Sequence, residues 1–174
     1  MKRITLLFLV LLLSFGCAET KVHTEKYRSK DILVGEGNLQ DIQKNSYQKW
    51  FEQNSREFQP NSKIIEQLKP QVNNYNYKII MGTWCPDSRL QVPIFYKVLK
   101  ESDYKNPDKI PVIYVPRKYK NYKLINSLNI KRVPTIIVYK NKKEIGRIIE
   151  YPMNNIETDL EEIFKGKYKH ELSD

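Results

Sequence analysis

The sequence predicts an α/β fold: a central mixed β-sheet with helices on both sides, three layers deep, behind a helical N-terminal extension. Three observations carry this expectation. The apolar runs 77–82, 110–115 and 135–140 are short and nearly continuous, as in strands buried on both faces. Segments 86–101, 119–128 and 155–164 carry apolar residues at helical spacing. Runs 135–140 and 144–151 are separated only by Asn141-Lys142-Lys143, which reads as a hairpin. The resulting order is β-α-β-α-β-β-α.

The chain has 174 residues, room for one domain with a leader and a tether. Residues 1–16 read as a secretory signal: Lys2 and Arg3 form the positive end, and 4–13 is an apolar core too short to span a bilayer. Ser14-Phe15-Gly16-Cys17 resembles a lipoprotein signal-peptidase site, although Ser14 stands where the commoner pattern has Leu. Cys17 is then the expected lipid-modified N-terminus, carrying palmitate and holding the chain to a membrane. Simple secretion with an incidental cysteine is the alternative. Ala18 and Glu19 follow, with no Asp directly after the cysteine. That resembles outer-membrane sorting in diderm bacteria, so the expected location is the cell envelope, on the periplasmic side of the outer membrane.

Residues 17–30 are polar and without periodicity, which predicts a flexible tether. The domain is expected over 31–166, with 31–70 as the extension and 167–174 as a frayed tail. Ile32-Leu33-Val34 reads as a short strand ending at Gly35-Glu36-Gly37. Apolar residues at 39, 42, 47, 50, 51 and 58 predict one helix capped by Asn38, with Trp50 and Phe51 anchoring it to the sheet. A second short helix covers 62–69, closed by Pro70. In the helix from Pro86, residues Leu90, Ile94, Phe95, Val98 and Leu99 form the expected inner face, and Pro93 should kink it. Residues 119–128 are expected to be helical, and a strand–helix–strand passage of this length predicts a parallel, right-handed crossover into 135–140. Asn154 is the expected cap of the last helix, and Gly166 its end.

The chemistry gathers at Ile79-Ile80-Met81-Gly82-Thr83-Trp84-Cys85-Pro86-Asp87-Ser88. A strand hands over to a helix here, and Cys85 sits at the junction. The first N–H groups of a helix lack internal partners and, with the helix dipole, favour an anion, so a thiolate is favoured there. Pro86 suits the first helical position, where its missing N–H costs nothing. Asp87 adds a negative charge beside the sulfur and Arg89 a positive one. With Cys17 acylated, Cys85 is a lone thiol and no internal disulfide can form.

Trp84-Cys85-Pro86 after a buried strand resembles the active-site loop of the thioredoxin superfamily. Arg132-Val133-Pro134-Thr135, leading into Ile136-Ile137-Val138-Tyr139, is similar to the family segment whose cis-proline faces the active-site cysteine. The resemblance covers roughly 75–164 and implies a thioredoxin-like fold. By the same resemblance Cys85 and Ser88 hold the catalytic positions, and Trp84, Pro86, Val133 and Pro134 contact the substrate. Two departures bear on the chemistry. Ser88 replaces the second cysteine that would release a bound partner, and Ile79 replaces the buried acid many thioredoxins carry six residues before the first cysteine. Ser88 is expected to give its hydroxyl hydrogen to the Cys85 sulfur.

The implied activity is single-thiol exchange, in which Cys85 forms mixed disulfides with disulfide- or thiol-bearing proteins or with small thiols. A non-catalytic peptide-binding module of the same fold is the alternative. One cysteine without clustered histidines makes a poor metal site, and His23 and His170 lie apart in the two tails. No metal and no cofactor are expected. The formal charge of +10 falls to +8 when residues 1–16, with Lys2 and Arg3, are removed. The lysines are not gathered on one segment and no nucleic-acid motif is present, so no nucleic-acid partner is expected. A monomer is expected.

Overall fold

The computed structural model describes residues 21–168. The leader 1–16, Cys17 and the start of the tether lie outside the described residues, as does the tail beyond 168. Six strands form one mixed sheet in the order β1-β2-β4-β3-β5-β6. They are β1 (His23–Tyr27), β2 (Lys30–Gly37), β3 (Asn76–Met81), β4 (Val112–Tyr114), β5 (Thr135–Lys140) and β6 (Lys143–Ile149). β3 and β4 run parallel; every other neighbouring pair is antiparallel. The helices are α1 (Leu39–Ile42), α2 (Gln48–Glu57), α3 (Ser62–Leu68), α4 (Pro86–Glu101) and α5 (Ile156–Phe164).

Three expectations are corrected at the N-terminal side. Residues His23–Tyr27, placed in the tether, form β1 and pair with β2 from His23↔Val34 to Tyr27↔Lys30. The single helix expected over 39–58 is broken into α1, a 3-10 turn (Asn45–Tyr47) and α2. The capping box of Asn38 and Asp41 closes the first turn, and Lys44 is extended (φ −106°, ψ 149°). The polar run from Gln43 to Ser46 offers no apolar side chain whose burial would carry the helix across. Trp50 and Phe51 do anchor α2, but against α4 rather than the sheet: Phe51 meets Tyr96 at 6.0 Å between ring centroids.

That docking explains why α4 is buried nearly all round, including Gln91, Val92, Pro93 and Tyr96. The sheet covers one side and α2 another. Leu90, expected to face inward, is 42% exposed. Pro93 cannot donate to the carbonyl of Arg89, four residues back. The side chain of Asn54 on α2 donates to that carbonyl instead, at 2.9 Å.

The passage 115–134 also departs from expectation. It holds a short 3-10 helix (Lys123–Leu128) that ends at Asn129 in the left-handed region (φ 49°). β5 is antiparallel to β3, and β3 is parallel to β4, so the passage is no parallel crossover. The hairpin between β5 and β6 turns on Asn141 and Lys142, both at positive φ (51° and 65°), the primed turn that matches strand twist. The cap of α5 is Asn155, whose side chain accepts from Thr158 N–H, one residue after the expected Asn154. Tyr168, placed in the frayed tail, donates its hydroxyl to Asp159 at 3.0 Å.

Two apolar clusters fill the molecule. The larger lies under α2–α5 and includes Ile79, Met81, Phe95, Val98, Leu99 and Leu160. The smaller lies across the sheet and includes Ile80, Ile113, Val115, Ile125, Val133 and Cys85.

Candidate functional site

The turn from β3 into α4 is held on every side by hydrogen bonds. Gly82 N–H donates to Ser88 Oγ at 3.3 Å, and Cys85 N–H to Gly82 O at 2.9 Å. Leu33 N–H on β2 donates to Thr83 Oγ1 at 2.9 Å, and Arg89 Nε to Thr83 O at 2.6 Å. Trp84 Nε1 donates to Val115 O, just past β4, at 2.9 Å. These bonds draw on β2, β4 and α4 and leave the turn little freedom. Gly82 is required for a steric reason: a Cβ there would stand 2.5 Å from the Trp84 ring.

Cys85 is the N-cap residue of α4, with Pro86 at the first helical position. Its sulfur lies 3.4 Å from Val133 O and 3.8 Å from Asp87 Oδ2. The Val133–Pro134 peptide bond is cis. Segments 84–86 and 133–134, some fifty residues apart in the chain, thus meet at the sulfur. Among the described residues the thiol has no disulfide partner, and Cys85 is 6% exposed, with exposed Pro86 beside it.

Ser88 does not contact the sulfur as expected. It is fully buried, and its oxygen serves the Gly82 amide. The side chain points back toward the strand, where the N–H of Gly82 needs a partner. Arg89 also turns away from the thiol; its guanidinium lies 5.8 Å from the Trp50 ring centroid and binds Thr83 O. Asp87 is the charged group that reaches the sulfur. Its other oxygen accepts from the Tyr151 hydroxyl, and this bond is the first cause of a Tyr151 pKa pushed up to about 12. Tyr151, 48% exposed, gives no sign in the sequence of belonging here; only the folding of β6 and the loop after it brings it to Asp87. That loop is pinned by Asp159 on α5, which accepts from Met153 N–H at 2.6 Å and Asn154 N–H at 3.2 Å.

On the opposite flank, Trp84 stacks with Tyr119 (centroids 6.1 Å apart, planes at 27°) and carries the Arg117 guanidinium 4.6 Å from its ring centroid. Tyr119 donates to Lys131 O at 3.3 Å, beside Arg132 and the cis bond. Its pKa is raised by burial first and by the Cys85 sulfur second. Arg132 pairs with Glu150 at 2.5 Å. Among the described residues no cluster of three or more His, Cys, Asp or Glu could hold a metal ion, and no helix is long and apolar enough to cross a membrane.

A family model described as thioredoxin matches residues 38–161. No curated protein matches the sequence. Among solved structures, a protein of unknown function from Pseudomonas aeruginosa superposes with a TM-score of 0.52 at 14% identity, covering 75% of this chain and 82% of its own. An HIV epitope-scaffold protein superposes with a TM-score of 0.51 at 14% identity, covering 75% of this chain and 84% of its own. At that identity the two structures speak to the fold alone.

Proposed function

We propose that this chain, which belongs to the thioredoxin family, performs thiol–disulfide exchange with one thiol, Cys85. The observation that carries the reading is the position of that sulfur: at the N-cap of a sixteen-residue helix and 3.4 Å from Val133 O, beside Pro134. The attacking form in disulfide exchange is the thiolate.

The exchange proceeds in two displacements. The Cys85 thiolate attacks one sulfur of a partner disulfide; the new S–S bond forms as the old one breaks, and the departing thiolate takes up the proton that Cys85 gave to solvent. With Ser88 in place of a second cysteine and Cys17 acylated, no internal thiol can release the partner. An external thiol attacks the mixed disulfide, leaves as part of a new disulfide, and restores Cys85. Trp84, Pro86, Val133 and Pro134 line the approach to the sulfur.

The chain works from the cell envelope, tethered to a membrane through lipid on Cys17; the short apolar leader before that cysteine supports this. A Cys17→Ser chain is expected to leave the membrane fraction and to lose palmitate labelling. Retention of both would reject the anchor.

The 6% exposure of Cys85 favours a second reading, a peptide-binding module in which the thiol is inert. Incubating the mature chain with a disulfide-bearing peptide separates the two. Exchange chemistry predicts an adduct at Cys85 by mass spectrometry that an added thiol removes, and none in Cys85→Ala. Binding of the peptide by both proteins with no adduct in either would select the module.

A further inference from the structure

The flank of the thiol formed by 115–134 carries an unbalanced charge. Lysines are spread along the chain, but acids are not: the stretch from Lys109 to Lys143 contains ten Lys and Arg and no Asp or Glu. The fold brings the middle of this stretch to Cys85. Arg117 lies over Trp84, the immediate neighbour of the cysteine, and Tyr119 stacks on the same indole. Lys131 and Arg132 precede the Val133 carbonyl that touches the sulfur. Arg117, Lys118, Lys120, Lys123, Lys131 and Arg132 are all exposed. Among the described residues only Arg132 of these six is paired with a carboxylate, that of Glu150. Arg117, Lys118, Tyr119, Lys120 and Asn121 surround a depression of about 380 Å³ next to Trp84.

We infer that Cys85 exchanges with disulfides carried on acidic peptide segments, whose carboxylates seat along this basic flank and in the depression beside Trp84. The inference rests on the exchange reading above and names its substrate class. Unpaired cations on one side of a reaction centre raise the local concentration of an anionic partner and fix its direction of approach. Asp87 stands at the sulfur itself, 3.8 Å away, and Glu150 is taken up by Arg132 at the end of the flank, which leaves the cations from Arg117 to Lys131 to set the direction of approach. The chemistry suits a peptide because the flank runs from Arg117 to Arg132, past the sulfur, rather than closing on one point.

The test uses three peptides of equal length, each with one cysteine activated as a 2-pyridyl disulfide and flanked by Asp and Glu, by Asn and Gln, or by Lys. Attack by Cys85 joins it to the peptide sulfur, breaks the pyridyl S–S bond and releases pyridine-2-thione, whose absorbance gives the rate. The acidic peptide should react on the order of tenfold faster than the neutral one at low salt, and the basic one slowest. The advantage should shrink at high salt and in the Lys118→Glu/Lys120→Glu chain. Equal rates for the three peptides, or a faster basic one, would overturn the inference and leave the exchange reading standing. If no peptide reacts, the exchange reading fails, and binding of the unactivated peptides to Cys85→Ser decides: preference for the acidic one upholds the basic flank as its seat, and no preference overturns it. A single-stranded oligonucleotide that binds Cys85→Ser more tightly than the acidic peptide would also overturn it, in favour of nucleic acid.

Discussion

At the scale of single residues, the turn before Cys85 depends on one missing methyl group. Gly82 lets the Trp84 indole lie against the backbone, and the indole in turn bonds Val115 O and supports Arg117 and Tyr119. A Cβ at 82 meets the anchored base of the ring rather than a free tip. Gly82→Ala is therefore expected to displace the indole and lower stability by about 1–3 kcal/mol, the usual cost of overpacking. Denaturant unfolding followed by Trp emission measures both effects; wild-type stability with an unshifted emission would contradict the steric account. The residues at the sulfur divide by whether the sequence could reveal them. Cys85 and Pro86 were legible from a marked local position, the helix start, and Val133-Pro134 through its resemblance to the cis-proline segment of the thioredoxin superfamily. Ser88 was legible as a position but not as a contact, since only the path of β3 puts the Gly82 amide in front of its oxygen. Tyr151 was not legible, because its link to Asp87 spans sixty-four residues and follows no spacing rule.

At the scale of elements, α2 and α4 are joined by more than apolar burial. Asn54 satisfies the Arg89 carbonyl that Pro93 leaves open. Removing that donor should cost about 1–2 kcal/mol, since the carbonyl is partly buried and loses its partner. In a Pro93→Ala background residue 93 regains an N–H, the helix can close the bond itself, and Asn54→Ala should cost much less. A double-mutant cycle by equilibrium unfolding measures the difference; additive costs would show that Asn54 acts independently of the proline. The same docking accounts for the misplacement of Leu90 in the sequence reading. A helix covered on two sides has no single apolar stripe, so periodicity alone cannot tell which residues face in. The polar run from Gln43 to Ser46 shows the converse: spacing continued across it, and local chemistry broke the helix.

For the whole molecule, burial of phenols sets an alkaline limit. Tyr77, Tyr96 and Tyr114 each have a pKa raised above the ordinary value of 10.0, with burial the first cause in all three. Above pH about 10 these groups ionise in the unfolded chain but stay protonated when folded. The unfolded state then binds fewer protons, so stability falls as pH rises, by up to about 1.4 kcal/mol per pH unit for each group. Unfolding midpoints should be steady just below pH 10 and drop steeply above it. Among the described residues the buried hydroxyl of Tyr96 has no hydrogen-bond partner, so Tyr96→Phe should be tolerated and should flatten the drop. An unchanged slope in that variant would discount Tyr96 as a contributor.

The chain's linear pattern by itself determined the fold class, the central strand, the helix from Pro86 and the identity of the thiol with its distant proline. The first three depend on periodicity and turn residues, the thiol on its place at a helix start, and its distant proline on the resemblance to the thioredoxin superfamily. Tertiary structure alone decided that 23–27 joins the sheet, that β5 opposes β3 and β4, that Ser88 faces the backbone, and that Tyr151 bonds Asp87 beside the sulfur. The β5 pairing and the Tyr151 bond join segments far apart in sequence, while the β1 hairpin and the Ser88 bond are local; all were settled by which groups needed partners once the sheet and α4 were in place.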